Sequence, residues 1–428
     1  MKPAARIAAA IDLLMLINDA WEKGKRTPAD GIIGYYFKQR RYIGSKDRGA
    51  ISERVYFILR NGAALEWWLE KAKMKPSPRL LVLLSLVFKD GFALEAIEEL
   101  YSGGPQCPMP LTHEERDIVE AFHGKTFLDP AMPKPVQYNY PSWMTSLLEE
   151  TFGGEFDMGM KALGEEAPVD LRVNTLKAIR EQVIAALTNE DFAPEPAKRA
   201  PNGIRLKKRG ALFASNTFRL GWFEMQDEGS QLVCELVDAK PGQKVIDFCA
   251  GAGGKTLAIA ARMQGKGRIL AWDTSKERLS QMPKRLARAG VNNVQLHLIA
   301  NEQDQFIKRH KQSADWVLAD VPCTGSGTWR RSPDLKWRTT EKDMQEVMAL
   351  QKSILESAAR LIMGTGKLVY ATCSLFREEN ETQIENFLAA HSDFAVEPIS
   401  EREKYLRLLP HRDHTDGFFA AVLTRKKA

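Results

Sequence analysis

Two cysteines of this 428-residue chain sit where they could do chemistry. Cys323 lies in Asp320–Thr328 (DVPCTGSGT) and Cys373 in Ala371–Ser374 (ATCS). Each motif follows a short apolar run, 315–319 or 367–371, that reads as a strand. A single cysteine in such a place is most often a buried structural residue, and a pair could be a disulfide. Two thiols just past neighbouring strands would instead face one crevice, where a thiolate is a nucleophile. Substitution at carbon 5 of a pyrimidine needs such a group. That carbon becomes nucleophilic only after a thiolate adds at carbon 6 and makes an enamine. Lys255 could supply the electropositive surroundings that a thiolate requires. Asp320 could hydrogen-bond the N3/N4 edge and stabilise charge as the adduct forms. Nothing in the spacing chooses which thiol attacks.

A second motif, Asp247–Thr256 (DFCAGAGGKT), leaves a strand and enters a helix. Gly251, Gly253 and Gly254 would let a ligand approach the backbone, and the helix start offers free N–H groups. Three readings compete. A dinucleotide GxGxxG needs glycine where Thr256 stands. A P-loop needs glycine where Cys249 stands, although Gly254-Lys255-Thr256 matches its end. The third is an S-adenosylmethionine loop formed by Cys249, Ala250, Gly251, Ala252, Gly253, Gly254 and Lys255. Asp273, at the end of the next strand, could accept hydrogen bonds from both ribose hydroxyls of a nucleoside. A P-loop protein has no use for it. Its plainer reading is a helix cap before Ser275.

These motifs need a scaffold, and the pattern from residue 243 onward supplies one. Strands are expected at 244–248, 268–272, 294–299, 315–319 and 367–371. Helices are expected after Gly254, at 275–289, at 341–363 and at 378–390, with further apolar stretches at 405–409 and 417–423. Alternation of this kind gives an α/β, Rossmann-like, mostly parallel sheet, whose ligands bind outside the strand C-terminal ends. Every motif above falls at such an end. Residues 1–125 read as helical, with apolar residues at three-to-four spacing such as Ile7, Ile11, Leu14 and Ile17. Residues 126–141 hold four prolines and read as a linker. Residues 142–222 read as a small α+β unit, and 223–428 as the catalytic domain.

Length and composition agree. The chain is about three times a typical domain. It is 44% hydrophobic and 27% charged, ordinary for a soluble globular protein. Its five cysteines include no CxxC and no Cys/His cluster, so no metal site is expected and a reducing cytoplasm is. Residues 7–17 are apolar but interrupted by Asp12, and 80–88 fall short of the about 20 residues needed to span a bilayer. No signal peptide, no membrane partner and a monomeric chain are expected.

The net charge of +6 is modest, but its placement is uneven. Residues 23–48 hold eight Lys/Arg against two acids, and 198–219 hold seven and no acid. These windows carry +13, leaving −7 elsewhere. Tyr35, Tyr36, Phe37 and Tyr42 interleave the first window. Solvated surface is the commonplace explanation. Basic groups neutralising phosphates, with aromatics stacking on bases, is the reading preferred here.

At this point the chain is identified as similar to the Sun-type family of RNA cytosine-5 methyltransferases, particularly its bacterial 16S ribosomal RNA members. The resemblance covers 136–428. It rests on FEMQDEGSQLV (223–233), DFCAGAGGKT, AWD (271–273), DVPCTGSGTWRR (320–331), YATCS (370–374) with the following REENE, and PHRDHTDGFFAA (410–421). It implies that Cys373 is the nucleophile, that Cys323 serves product release, and that S-adenosylmethionine is the cofactor. DNA cytosine-5 methyltransferases attack with the PC-type cysteine instead. The loop departs from the family's CAAPGGKT, with Ala252 for proline and Gly251 for alanine. Where the family has an aspartate near the adenine, Asn301 is the nearest candidate. Residues 1–125 resemble a NusB-like RNA-binding domain, through SKDRGAISERVYFILR (45–60). Residues 142–222 resemble the family's small RNA-binding segment, through LRVNTLK (171–177). Trp329 and Trp337, in the insertion 328–338, are expected to touch RNA. Two other functions stay open on residues alone: a P-loop nucleotide hydrolase remodelling RNA, and a non-catalytic RNA-binding assembly factor.

Overall fold

Local signals start the N-terminal helices. Ser77 Oγ accepts the Leu80 N–H at 3.3 Å, and Pro78 opens the helix Pro78–Phe88. Thr112 and Glu115 form a reciprocal capping box before the helix His113–Phe122. With Pro3–Glu22, Ala29–Gln39, Ser45–Lys71 and Leu94–Leu100 they make an all-α unit. Leu13, Ile17, Val55, Leu65 and Ile97 fill its core, and Trp68, Phe88, Phe122 and Phe127 meet as rings. The apolar run 80–88 is a core helix. No described helix is long and apolar enough to cross a membrane. The structure is a computed structural model that describes every residue except Arg26, Lys208, Arg209, Lys427 and Ala428. Three of these five, Arg26, Lys208 and Arg209, belong to the basic windows and so lie outside the described residues.

Three expectations for this part of the chain change. Residues 126–141 are not a free linker. Met132 is buried in the helical core, Trp68 Nε1 donates to the Phe127 carbonyl (2.9 Å), and Asn139 Oδ1 accepts the Ala64 N–H (3.1 Å). The prolines limit regular structure to Lys134–Gln137 but leave side chains able to pack. The interleaved aromatics also split. Tyr35 and Tyr42 are exposed, but Tyr36 and Phe37 are core residues, as the helical period of Ala29–Gln39 turns them inward.

The third change concerns the insertion. Residues 331–340 belong to the helical unit, together with 1–146. Asp334 Oδ2 accepts the Ala29 N–H (3.2 Å), Trp337 Nε1 donates to the Leu59 carbonyl (3.1 Å), and Lys336 Nζ donates to the Arg60 carbonyl (3.3 Å). Trp329 is itself only 2% exposed. Trp329 is therefore buried and does not present the expected stacking face, whereas Trp337 is half-buried and tied by its N–H to the helical unit.

The other unit comprises 147–330 and 341–428. It contains a small antiparallel sheet of β1 (Val169–Val173), β2 (Pro194–Pro196), β3 (Gly203–Leu206) and β4 (Phe223–Met225), in the order β2-β3-β1-β4. β4 carries this sheet past the expected boundary at 222, because Phe223–Met225 pair with β1. The helix Arg180–Asn189 covers it through Val183 and Leu187. The second basic window is partly spent here. Arg205 binds the buried Asp170 at 2.7 Å and Glu228 at 3.3 Å, and Arg199 pairs with Asp413.

The large sheet has eight strands. They are β5 (Lys244–Asp247), β6 (Arg268–Asp273), β7 (Val294–Leu298), β8 (Ala314–Asp320), β9 (Ile362–Thr372), β10 (Phe394–Glu397), β11 (Leu406–Leu408) and β12 (Phe418–Arg425). The order is β10-β12-β9-β8-β5-β6-β7, with β11 beside β12. β5 to β9 run parallel, and β12 is antiparallel to its neighbours. Alternate residues feed two cores: Val245, Ile269 and Ala271 on one face, Ile246, Leu270 and Trp272 on the other. The helix expected over 341–363 stops at Ala359, and β9 begins already at Ile362. Gly364 and Gly366 hid the start of that strand, since glycine weakens the strand signal. The strand order reverses between β5 and β8, which sets the ligand crevice at their C-terminal ends.

Candidate active site

The glycine loop leaves β5 into this crevice. Phe248 N–H donates to the Leu318 carbonyl and Ala250 N–H to the Trp272 carbonyl, each at 2.8 Å, so both neighbouring strands fix the loop. Gly253 has φ +85°, and a Cβ there would stand 2.6 Å from Met282 Cγ. It must therefore be glycine. Gly254 then starts the helix Gly254–Arg262. Thr256 Oγ1 donates to Asp247 Oδ2 at 2.6 Å. Burial pushes the Asp247 carboxyl up to about 7, against the Thr256 hydrogen bond and with help from the Asp320 charge. Cys249 is a free thiol pushed well upward by burial and by Asp320, Asp247 and Asp273 around it.

Two guanidiniums hold the loop from outside, and neither stood out in the sequence. Arg285 Nη1 donates to the Ala252 carbonyl (2.7 Å), with Nη2 on Glu224 of β4 (2.9 Å). Arg172 of β1 donates to the Gly254 carbonyl (2.8 Å). Both acceptors are main-chain atoms, so no sequence motif records the pairing.

Asp273 closes β6, 7% exposed. Its Oδ2 accepts the Gly251 N–H and its Oδ1 the Ser275 N–H, each at 2.7 Å. The cap reading is thus present, and the fixed carboxylate has two protein donors rather than requiring a ribose alone. Each oxygen retains a second lone pair. Asn301, three residues past β7, is exposed, and its Oδ1 accepts the Gln303 N–H at 2.8 Å to close a turn.

The two cysteines meet. Cys323 Sγ and Cys373 Sγ are 3.3 Å apart, and both are free thiols. The hydrogen bond with Cys373, and then burial, push the Cys323 thiol well upward. Either sulfur can donate across the pair. Lys255 Nζ binds Asp320 Oδ2 at 2.6 Å. Burial opposes the Lys255 charge, but Asp320, Cys234 and Cys373 outweigh it and the net shift is upward. A cation within electrostatic reach of Cys373, at the switch point of a parallel sheet, suits thiolate addition.

Comparison with known proteins agrees with this geometry. Residues 234–424 match the family model described as 16S rRNA methyltransferase RsmB/F, and 140–212 match its ferredoxin-like domain. A probable ribosomal RNA small subunit methyltransferase B from Synechocystis is 35% identical over 301 residues, 68% of this chain and 67% of that one. The chain belongs to the RsmB/F family of 16S rRNA methyltransferases. The ribosomal RNA small subunit methyltransferase B of Yersinia pseudotuberculosis is 29% identical over 400 residues, 90% of this chain and 92% of that one. The crystal structure of PH0851 superposes with a TM-score of 0.81 at 27% identity, covering 99% of both chains. RsmB/F membership removes the P-loop and assembly-factor readings.

Within this RsmB/F site the structure adds residues that sequence reasoning missed. Glu379, Asn380 and Gln351 are buried behind the cysteines, and Asp247 lies under the loop. The stretch REENE (377–381) was part of the resemblance, but its hydrogen bonds come from elements distant in sequence.

Proposed function

We propose that the protein methylates carbon 5 of a cytosine in small-subunit ribosomal RNA through a covalent bond from Cys373, with S-adenosylmethionine as cofactor. The observation that carries this reading is the 3.3 Å thiol pair beside the Lys255–Asp320 ion pair. When bound, S-adenosylmethionine supplies an electrophilic methyl group on a sulfonium sulfur. The residues fit it. Asp247, Asp273 and Asp320 gather around the glycine loop, and the buried Asp247 Oδ1 has no hydrogen-bond partner. That set suits a ligand with ammonium and sulfonium charges. The backbone from Cys249 to Lys255 would cradle it, Asp273 would take the ribose hydroxyls, and Asn301 would lie on the adenine side.

The target cytosine is unpaired or flipped to reach the half-buried Cys373. Cys373 adds to carbon 6, and the displaced electron pair moves toward the N3/N4 edge. There Asp320 accepts a hydrogen bond from the N4 amino group, and the Lys255 charge offsets the arriving density. Carbon 5 takes the methyl group as the pair returns; the bond that breaks is the one to the sulfonium sulfur, which keeps its electrons as a neutral thioether, and the methylated adduct is neutral. For release, the carbon-5 hydrogen leaves as a proton to Cys323 in its thiolate form. Its bonding pair closes the C5=C6 bond, and the C6–S pair returns to Cys373. Cys323 reaches its thiolate form by first losing its own proton to solvent, and the carbon-5 proton restores its thiol.

RNA would be held by the exposed Tyr35 and Tyr42 with Lys38, Arg41 and Lys46, and by the small sheet around β1. Free cysteines suit a reducing cytoplasm. The test is to incubate the protein with unmodified small-subunit RNA and labelled S-adenosylmethionine and map 5-methylcytosine. The mapped position must also lose its methyl group in cells lacking the gene. Label on another base, or none, overturns the proposal.

A further inference from the structure

The two residues after the second cysteine motif's loop, Glu379 and Asn380, are both buried, at 0% and 2% exposure. Neither hydrogen-bonds a sulfur, yet Asn380 bonds both neighbours of Cys373, and Glu379 bonds Thr324 after Cys323 and, through Gln351, reaches Pro322 before it. Glu379 Oε2 accepts the Thr324 N–H (2.8 Å) and Gln351 Nε2 (2.9 Å). Gln351 Nε2 also donates to the Pro322 carbonyl at 2.9 Å. The backbone on either side of Cys323 is thus fixed to one carboxylate and its amide partner. Glu379 Oε1 accepts the Thr324 and Ser374 hydroxyls. Asn380 does the same for Cys373. Its Oδ1 accepts the Thr372 hydroxyl (2.5 Å) and its Nδ2 donates to the Ser374 carbonyl (2.9 Å).

We infer that Glu379 and Asn380 are positioning residues that set the two thiols against each other, Glu379 through the Cys323 loop and Asn380 through the Cys373 loop. The inference rests on the roles given above to the two cysteines. Because the two are consecutive in the chain, one short turn fixes the sulfur–sulfur gap. Four donors converge on two carboxylate oxygens, so the bracket tolerates little substitution. Glutamine at 379 can keep it: its oxygen takes Thr324 N–H and Gln351, and its amide faces two hydroxyls that can rotate to accept.

The two neighbours then fail differently. Glu379→Ala frees the Cys323 loop and also removes the Ser374 hydroxyl contact, but both Asn380 bonds around Cys373 stay, so release slows more than addition. Asn380→Ala frees the Cys373 loop, so addition itself slows. A misplacement of about 1 Å can slow a step about 100-fold. The experiment incubates each variant, with both cysteines present, with substrate RNA and S-adenosylmethionine. Protein–RNA adduct is then resolved on denaturing gels beside Cys323→Ala. Glu379→Ala is expected to accumulate adduct, Asn380→Ala to form little, and Glu379→Gln to turn over with no adduct. Loss of general stability would depress both neighbours alike and cannot produce opposite signatures. Gln351→Leu, which removes the Pro322 anchor and one of the four donors to Glu379, should accumulate adduct to a smaller degree even if Glu379→Ala does not fold. If Cys323→Ala traps adduct while neither Glu379→Ala nor Gln351→Leu does, the inference is overturned. If Cys323→Ala itself traps none, the cysteine roles fall and the inference falls with them.

Discussion

Cys323 and Cys373, 50 residues apart in the chain, face each other at 3.3 Å without a covalent link. The loops that carry them are stitched directly. Gly327 N–H donates to the Cys373 carbonyl at 2.9 Å, and Leu375 N–H to Ser326 Oγ at 2.8 Å. One sulfur suffices for addition, so a second held this close has a separate task. That division of labour is open to direct test.

The cysteine variants should differ in kind. Cys373→Ala should abolish methyl transfer and form no covalent RNA complex, because no enamine can form. Cys323→Ala should methylate once and stall, accumulating an adduct that survives denaturing electrophoresis and disappears with RNase. The reverse pattern would mean that the protein attacks with Cys323, as DNA enzymes do with their PC cysteine.

Release should speed up as pH rises. The Cys323 thiol is held well above its ordinary range by its hydrogen bond to Cys373 and by burial. Below its pKa, each added pH unit raises the thiolate fraction about tenfold. If thiolate Cys323 takes the carbon-5 proton, adduct decay in single-turnover experiments should accelerate from neutral into alkaline pH. A flat profile would assign the proton to another base.

Asp273→Ala should weaken S-adenosylmethionine binding about 10- to 150-fold, the effect of losing a charge-assisted hydrogen bond of about 1.5–3 kcal/mol. The same change removes the acceptor for Gly251 N–H, so the loop loses an anchor too. Calorimetric titration showing unchanged affinity would take Asp273 out of the cofactor site.

The exposed basic residues offer a salt test. Deleting 1–125 would cut through a folded unit that includes Met132 and 331–340, so charge removal is cleaner. Replacing Lys38, Arg41 and Lys46 by alanine should weaken RNA binding and flatten the slope of log affinity against log salt by about 2. An unaltered slope would show that these groups meet no phosphate.

Lys336 predicts a stability effect. Burial, with Arg60 nearby, pushes its ammonium down to about 7. Between that value and the ordinary lysine range, the unfolded chain binds the proton that the folded one has released. Stability contributed at this site therefore rises with pH across that window. Lys336→Met removes the titration. The variant should unfold at higher denaturant than the parent near about pH 7, with the gap narrowing toward about pH 9. A gap independent of pH would mean that Lys336 is charged in the folded protein throughout.

The sequence by itself determined the scaffold and the chemistry. Alternating strands and helices after residue 243, glycines at 251, 253 and 254, and cysteines just past two strand ends are local patterns. They needed only the periods of helix and strand to be read. What the cysteines do to each other was not local. β8 and β9 had to pair in parallel before two loops 50 residues apart could bring sulfurs together. The same holds for Arg172 and Arg285 on the loop carbonyls, and for Glu379 and Asn380, whose partners are mostly backbone atoms or hydroxyls of other elements. Misreadings had a matching cause. Tyr36, Phe37 and Trp329 look like stacking residues in basic stretches, but burial took their faces for the interior. Amino-acid type fixes what a side chain can do; tertiary packing decided which surface it does it on, because burial and hydrogen-bond partners come from segments far away in the chain.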